Sequence, residues 1–425
     1  MKVLILGSGG REHALAWAVR RSKRVSEVVC APGNGGIAEL ARCVPVDLKD
    51  LEAMVRLAEA EQPGLVIVGP ELPLSLGIVD ALTARGMRVF GPTQAAAMLE
   101  TSKGYAKRFM QRNNIPTAAY AVCNSEAELE TAVELFHPPM VVKADGLHAG
   151  KGVLICGSRH EALEAARGLF SGALLGESDR QVIVEEFLEG EEISFLCLTD
   201  GKTVVPLAPA QDHKRVGEGD TGPNTGGMGV YSTDRMLEPA MTEWILHHIA
   251  QPTVAAMAAE ETPFAGVLYC GLMMTARGPL VLEYNARFGD PETQAILVRL
   301  ESDLVDALEA CVEGRLGGVE LRWKPGASAC VVASSAGYPG SYKTGLPIAG
   351  LEEAGRVPGV VVFHAGSKRQ GDEVLTAGGR VLGVTAAAAT LDEALARAYQ
   401  ALQTIHFDGI YFRRDIGHLA LKRKV

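Results

Sequence analysis

Short runs of aliphatic and β-branched residues alternate with amphipathic stretches through the first hundred positions. Residues 2–6, 27–30, 64–68 and 88–90 have the apolar character of buried strands, and 13–20, 51–61 and 78–85 repeat apolar side chains at helical spacing. Strand and helix in alternation predict a doubly wound parallel sheet with helices on both faces. In such sheets ligands sit beyond the carboxyl ends of the strands. Those ends carry Gly7-Ser8-Gly9-Gly10-Arg11, Pro32-Gly33-Asn34-Gly35 and Gly69-Pro70-Glu71.

Further along, the pattern predicts a helix over 103–113, strands over 140–143, 153–156 and 181–185, and a helix over 160–169. Residues 211–232 are rich in glycine and charge without any period, which predicts a long functional loop. A helix over 238–259 and a hairpin of 266–275 with 279–287 follow. Asp290-Pro291-Glu292 then sets a capping acid, a proline at the first helical position and an acid in the first turn, predicting a helix toward Cys311. Short strands from 327 and a helix over 390–403 complete an α+β unit. No internal repeat interrupts the chain. Three domains are expected, at 1–102, 103–325 and 326–425, the second with a smaller subdomain near 118–190.

Charge and composition narrow the function. Lys plus Arg total 41 against 51 Asp plus Glu, a formal charge of −10, which argues against nucleic acid as a partner. The 48 glycines are too many for a helical bundle and imply turns or phosphate loops. No apolar run reaches the ~18 residues of a membrane span, and the run after Met1 is too short for a signal peptide. The eight cysteines form no CxxC pair, so neither zinc nor a disulfide framework is expected. Together these predict a cytoplasmic protein with no membrane partner.

Four segments carry candidate chemistry. Gly7 and Gly9 begin a dinucleotide fingerprint, but the third glycine is replaced by Glu12 and the second strand ends in Ala31-Pro32 rather than a ribose-binding acid. The turn at Gly9 and Gly10 therefore holds either a small phosphate or nothing but a tight turn. The loop from Lys143 to Gly152 looks like a Walker A motif, yet Asp145 and Gly152 stand where glycine and a hydroxyl are needed, and a strand follows instead of a helix. It reads as a glycine-rich lid, Gly150-Lys151-Gly152 with Lys143 opposite, suited to a nucleoside triphosphate. The run Glu185-Glu186-Phe187-Leu188 leads into acids up to Glu192, and an edge backbone there offers a carbonyl and an N–H to a base. Finally, Glu283, Asn285 and Arg287 project from one face of a strand, with Leu282, Tyr284 and Ala286 on the other. Two hard oxygen donors beside a guanidinium suit a magnesium ion completed by phosphate oxygens.

With these segments in order, the chain resembles the glycinamide ribonucleotide synthetases, members of the ATP-grasp superfamily, nearly end to end. The resemblance rests on Gly7 to His13, Gly69-Pro70-Glu71, Val142 to Leu147, Glu185 to Leu188, Gln211 to Arg215, Gly222 to Gly229 and Arg287 to Gln294. It implies an α/β protein with an N-terminal Rossmann-like doubly wound domain, a central ATP-grasp domain with a lid subdomain, and a C-terminal α+β domain. It also implies a ligase of purine biosynthesis that joins glycine to 5-phosphoribosylamine through glycyl phosphate, with ATP as co-substrate and Mg²⁺ or Mn²⁺ as the metal. On matching positions, Glu283 and Asn285 would hold the metal; Lys103, Lys143, Gly150, Lys151 and Gly152 the phosphates; and Glu185, Glu186, Leu188 and Glu192 the adenosine. Asp212 would take the glycine ammonium and Arg287 its carboxylate, with Lys214 beside them. Gly9, Gly10, Glu71, Arg215, Thr225 and Gly226 would receive phosphoribosylamine. A monomer is expected. The sequence departs from the family at His148, usually alanine, and at Tyr284 and Ala286.

Two other readings compete. Another carboxylate–amine ligase of the superfamily is disfavoured by the Gln211 to Arg215 and Gly222 to Gly229 segments, and a nicotinamide-dependent reductase by Glu12. A scaffold without activity would leave Glu283, Asn285 and Arg287 without a purpose.

Overall fold

The first domain folds as its alternation predicts. In the computed structural model, which describes residues 1–148, 152–176 and 181–422, strands β1 (Lys2–Gly7), β2 (Glu27–Pro32), β3 (Arg42–Cys43), β4 (Leu65–Val68) and β5 (Val89–Phe90) form one parallel sheet in the order β3-β2-β1-β4-β5. Val3 to Leu6 and Leu65 to Ile67 are wholly buried, because helices cover both faces. Several elements escaped the periodicity, among them β3, only two residues long, the helix Glu71–Ser75, too short to show a helical period, and the helix Gln94–Thr101.

Residues 120–186 build a smaller unit. Strands β6 (Tyr120–Cys123), β7 (Met140–Ala144), β8 (Val153–Cys156) and β9 (Val182–Glu186) form an antiparallel sheet in the order β6-β9-β7-β8. Helices Glu126–Leu135 and Arg159–Phe170 cover it, each started by a serine whose hydroxyl accepts from the backbone three residues on. Its core, including Leu129, Val142, Leu169 and Val184, is separate from those of the rest of the chain. A second sheet, β11-β10-β16-β17, contains β10 (Glu191–Asp200), β11 (Val204–Pro206), β16 (Ala265–Thr275) and β17 (Gly278–Asn285). Phe195, Cys270 and Tyr284 of this sheet share one core with Leu4 and Val66 of the first domain.

The segment 211–232 is not a loop. It contains β12 (Gln211–Asp212), the hairpin of β13 (Arg215–Gly217) with β14 (Thr221–Asn224), and β15 (Gly229–Thr233). With β18 (Ala327–Ser334), β19 (Val360–His364) and β22 (Arg380–Ala388), the strands β12 and β15 make the sheet β12-β15-β18-β22-β19, while β20 (Ser367–Gln370) and β21 (Glu373–Thr376) form a separate hairpin. Strands of two to five residues carry no readable period, and pairing across 94 or more positions of chain is invisible to any window.

Two helices also differ from expectation. Residues 239–259 form one helix interrupted by a π turn at Leu246–Ala250, where Pro252 lacks the N–H that would bond back to the preceding turn. The helix expected from Asp290 begins at Glu292 with Pro291 in the capping position, ends at Leu297, and is followed by a second helix, Leu304–Val312. Asp290 does not cap it, because its carboxylate is engaged elsewhere. All eight cysteines are free thiols, and no described helix is long and apolar enough to cross a membrane.

Candidate active site

A cleft of about 580 Å³ runs between the small sheet, the larger sheet, the first domain and the C-terminal sheet. One half is lined from β7, β8, β9, β10 and β17. Lys143 lies buried within β7, where its ammonium meets the Glu185 carboxylate at 2.9 Å; Lys107, also buried, meets the same oxygen at 3.2 Å. Burial pulls Lys107 down to about 8 against the opposing pull of Glu185. Glu185 also feels burial most, yet the two lysines hold its carboxyl below the ordinary range. Lys103, at the start of the helix Lys103–Arg112, donates to the Gly146 carbonyl at 2.8 Å. Asp145 accepts from Ser102 Oγ and Gly104 N, so the lid loop is pinned to that helix's first turn. His148 folds back on the loop, its Nε2 2.5 Å from the Asp145 carbonyl. The strand after the loop pairs antiparallel with β7, Lys143 opposite Val153, which separates this loop from a Walker A motif. Gly152 lines the cleft, whereas Gly150 and Lys151 lie outside the described residues.

The acidic segment differs from the edge strand expected. β9 is interior to its sheet, and the backbone that faces the cleft is the connector from Phe187 to Gly190, which leads into β10. The Glu186 side chain turns away to the Ala119 N–H and Arg277, each at 2.9 Å. Leu188 is buried beside Leu280, with Met273 and Leu282 packed against them. Leu282 therefore faces the cleft and not the core. A β-bulge opposite Gly271 and Leu272 shifts the phase of β17, so that Leu282 and Glu283 both turn to the cleft. Tyr284 and Ala286 do face the core, and the Tyr284 hydroxyl meets Thr253 at 2.7 Å.

Glu283, Asn285 and Arg287 come together at the cleft, although β17 ends at Asn285 and Arg287 lies just beyond the strand expected to reach it. Lys214 lies 2.7 Å from Glu192 and 3.9 Å from Glu283, bridging the two acids. Burial would raise Glu283, but Lys214, Lys143, Lys103 and Arg287 hold it below the ordinary range. Arg287 donates to Asn285 Oδ1 at 3.2 Å, to Glu71 at 3.2 Å, and to Glu100 at 2.9 Å. Among the described residues no cluster of three His, Cys, Asp or Glu is gathered for a metal. Glu283 and Asn285, two hard oxygen donors side by side, fit a divalent cation whose remaining positions are filled by phosphate oxygens and water.

The other half is assembled from distant segments. Asp212 closes β12 next to the Glu292 carboxylate, which accepts from Tyr269 at 2.7 Å and Ser194 at 3.1 Å. Burial, then the charge of Glu292, push Asp212 well above the ordinary carboxyl range. Thr225 closes the neighbouring turn by donating to the Lys214 carbonyl at 2.8 Å, Gly226 N donates to the Tyr338 hydroxyl at 3.1 Å, and Arg215 reaches the Gly222 carbonyl at 2.7 Å. Gly227 has φ +109°, and a Cβ there would lie 2.7 Å from Asp212 Oδ1 and 2.5 Å from Pro291, so only glycine lets this turn approach. Gly9 and Gly10 do not line the cleft. The Gly9 N–H is taken by Glu12 at 2.5 Å, and Gly10 abuts Gln294. Arg11 and Glu71 reach the cleft from the first domain instead.

Glu100, Lys107 and Arg380 line the cleft without having left a sequence signal, and Arg11 stood in a quoted motif without a role. Arg380 comes from β22, donates to the Asp290 carbonyl at 2.7 Å and lies 3.6 Å from its carboxylate. Asp290 and Glu292 stood in a quoted motif, but there they read as helix-start residues.

Three family models tile the chain: phosphoribosylglycinamide synthetase N domain over residues 1–100, its ATP-grasp (A) domain over 101–293 and its C domain over 328–419. The chain belongs to the phosphoribosylglycinamide synthetase family. It is 47% identical over 424 residues to a phosphoribosylamine–glycine ligase of Brucella melitensis, covering 100% of this chain and 99% of that one. It is 50% identical to one of Chlorobaculum tepidum, covering 99% and 100%. The crystal structure of phosphoribosylamine–glycine ligase from Thermotoga maritima superposes with a TM-score of 0.85 at 34% identity, over 98% of this chain and 100% of that one. A biotin carboxylase domain of Hydrogenobacter thermophilus, at 18% identity and a TM-score of 0.73 over 97% of this chain and 91% of that one, shares the fold. The α/β architecture, with its parallel N-terminal sheet, is thus that of the synthetase family and of ATP-grasp proteins.

Proposed function

We propose that this synthetase-family protein joins glycine to 5-phosphoribosylamine at the expense of ATP, releasing glycinamide ribonucleotide, ADP and phosphate, the second step of purine biosynthesis. The observation that carries the reading is Arg287, placed where the two halves of the cleft meet, with Asn285 on one side and Glu71 on the other.

The chemistry follows from placement. Lys103, Lys143 and Gly152, with Gly150 and Lys151 of the same loop, hold the nucleotide phosphates. Glu185 orients Lys143, the Glu186 carbonyl and Leu188 N–H read adenine, and Glu192 takes the ribose. Glu283 and Asn285 hold the divalent cation, magnesium or manganese, which neutralises phosphate charge when bound. Asp212 receives the glycine ammonium and Arg287 the carboxylate, so that a carboxylate oxygen attacks the γ-phosphorus and ADP departs. The result is glycyl phosphate, reached by positioning and charge neutralisation. The ribosylamine nitrogen then attacks the acyl carbon and phosphate leaves, while Arg287 supports the oxyanion. Lys214 ties the ribose side to Glu283. Glu71, Arg215, Thr225 and Gly226 border the space for phosphoribosylamine; Gly9 and Gly10 act behind them by shaping the turn that carries Arg11.

In this reading residues 1–102, 103–325 and 326–425 are three functional domains, with a lid at about 118–190. The protein works as a cytoplasmic monomer on small molecules alone, without nucleic acid or membrane. The deciding experiment measures ADP release with Mg-ATP and glycine, with and without phosphoribosylamine generated from ribose 5-phosphate and ammonia, and identifies the product by mass. Turnover that needs all three and yields glycinamide ribonucleotide is expected; nucleotide binding without that product would leave the acceptor pair unassigned. Sedimentation at assay concentration checks the monomer.

A further inference from the structure

Arg287 is held by two glutamates that differ in kind. Glu100, in the helix Gln94–Thr101, is 6% exposed at its side chain, and both its oxygens are used: one meets Arg287 at 2.9 Å, the other accepts from the Ala286 N–H at 2.7 Å. Glu71, the first residue of its helix on the opposite wall, is 31% exposed at its side chain and lines the cleft, with one oxygen on Arg287 Nε at 3.2 Å. The other acids of the acceptor half are engaged: Asp212 accepts from the His213 N–H at 2.8 Å and is assigned to the glycine ammonium. Asp290 meets Gln294 at 2.9 Å and the Arg11 N–H at 3.3 Å, and Glu292 holds Tyr269 and Ser194. Amide formation leaves a proton on the attacking nitrogen that must be removed, and a base must lie within hydrogen-bond reach of it.

We infer that Glu71 is the proton acceptor of the second half-reaction, and that Glu100 is the residue that positions Arg287. The inference rests on the ligase reading above. The amine lone pair attacks the carbonyl carbon of glycyl phosphate, and the carbon–oxygen bond to phosphate breaks with its electron pair leaving on phosphate. One N–H proton passes to the Glu71 carboxylate, which returns it to solvent. Glu71 suits this role because it touches the guanidinium beside which the acyl group lies while remaining open to the acceptor space. Although burial would raise its carboxyl, Arg287 and Arg11 keep it below the ordinary range, so it is ionised. Glu100 borders the same cleft, but both its oxygens are engaged, one by Arg287 and one by the Ala286 N–H, which leaves it no oxygen to take the proton.

The test separates the two half-reactions. Hydroxylamine, a nucleophile that attacks acyl phosphates without an enzymic base, traps glycyl phosphate as glycine hydroxamate in the presence of Mg-ATP. Glu71→Gln should lower the ratio of glycinamide ribonucleotide formation to hydroxamate formation by about 10²-fold, the usual scale of a lost base. Glu100→Gln should lower both rates together. If both reactions fall together in Glu71→Gln, the residue merely orients Arg287 and the inference is overturned; if neither falls, it is overturned as well. Hydroxamate formation itself reports that the variant is folded, and Glu71→Asp, read by the same ratio, takes its place if Glu71→Gln does not fold. A wild-type protein that makes hydroxamate but no ribonucleotide would instead defeat the ligase reading and leave this inference without its reaction.

Discussion

The two halves of the cleft are built differently. The nucleotide half comes mostly from neighbouring strands of two sheets within residues 140–285, with Lys103 and Lys107 added from the helix Lys103–Arg112, and its polar groups pair with one another: Lys143 and Lys107 with Glu185, Lys214 with Glu192 and Glu283. The acceptor half draws Arg11 and Glu71 from the first domain, Asp212 and the Thr225 turn from short strands of the C-terminal sheet, Glu292 from a helix start and Arg380 from β22. A cation-rich half with internally compensated charge suits a nucleotide that must be released after each turnover. An acid-lined half that needs three parts of the chain to be in place suits two small substrates that must be oriented against each other. The difference teaches that changes in the first half should act on ATP and changes in the second on glycine or the acceptor.

The sharpest break in that comparison is Glu283→Ala. Loss of the carboxylate proposed to hold the divalent cation should cut kcat by about 10³-fold, with both half-reactions affected, as steady-state turnover and hydroxamate trapping together would reveal. Next is Asp212→Asn, which should raise KM for glycine by roughly 10- to 100-fold, given the 1.5–3 kcal/mol of a hydrogen bond to a charged group, and leave KM for ATP nearly fixed. The same residue predicts a pH dependence. Because burial and Glu292 raise the Asp212 carboxyl, it is protonated at a pH where an ordinary carboxyl is already ionised, and a protonated acid does not pair with an ammonium. KM for glycine should therefore rise as pH falls through that raised value and level off above it, while the asparagine variant shows no such rise.

A smaller effect is expected from Lys107→Met. Glu185 keeps Lys143 but loses its second cation, so KM for ATP should rise about tenfold, about 1.4 kcal/mol, with KM for glycine unchanged. Wild-type ATP affinity should weaken in the same direction as pH rises through about 8, where Lys107 gives up its proton. The smallest effect belongs to Glu186→Ala. Its carboxylate faces Ala119 and Arg277 and only its carbonyl is assigned to adenine, so KM for ATP should change by less than about threefold, the scale of an exposed ion pair. A large change there would move the adenine contact from backbone to side chain and redraw the nucleotide half.

Legibility in the sequence follows the same divide. Glu283 and Asn285 could be placed on one face because a strand has a period of two, and Lys143 stood out as a charge within an apolar strand. Even there the bulge at Leu282 went unseen, since a bulge is made with the partner strand at Gly271 and leaves no mark on its own residues. Asp212 and Lys214 were singled out by resemblance alone, while the short strands around them, Gln211–Asp212 and Arg215–Gly217, were read as loop. Gly9 and Gly10 looked like an anion site until Glu12 occupied the donor that a phosphate would have used.

What the sequence alone determined is therefore whatever local periodicity and an ordered set of motifs encode: the parallel first domain, the strand that carries Glu283 and Asn285, and the family itself. Only the tertiary structure decided which groups meet across the chain. Glu100 and Glu71 are 29 positions apart in sequence and more than 180 from Arg287, yet both grip its guanidinium. A buried guanidinium must satisfy its charge and donors wherever acceptors are available, and the packing of three domains, not any local pattern, determines where those are.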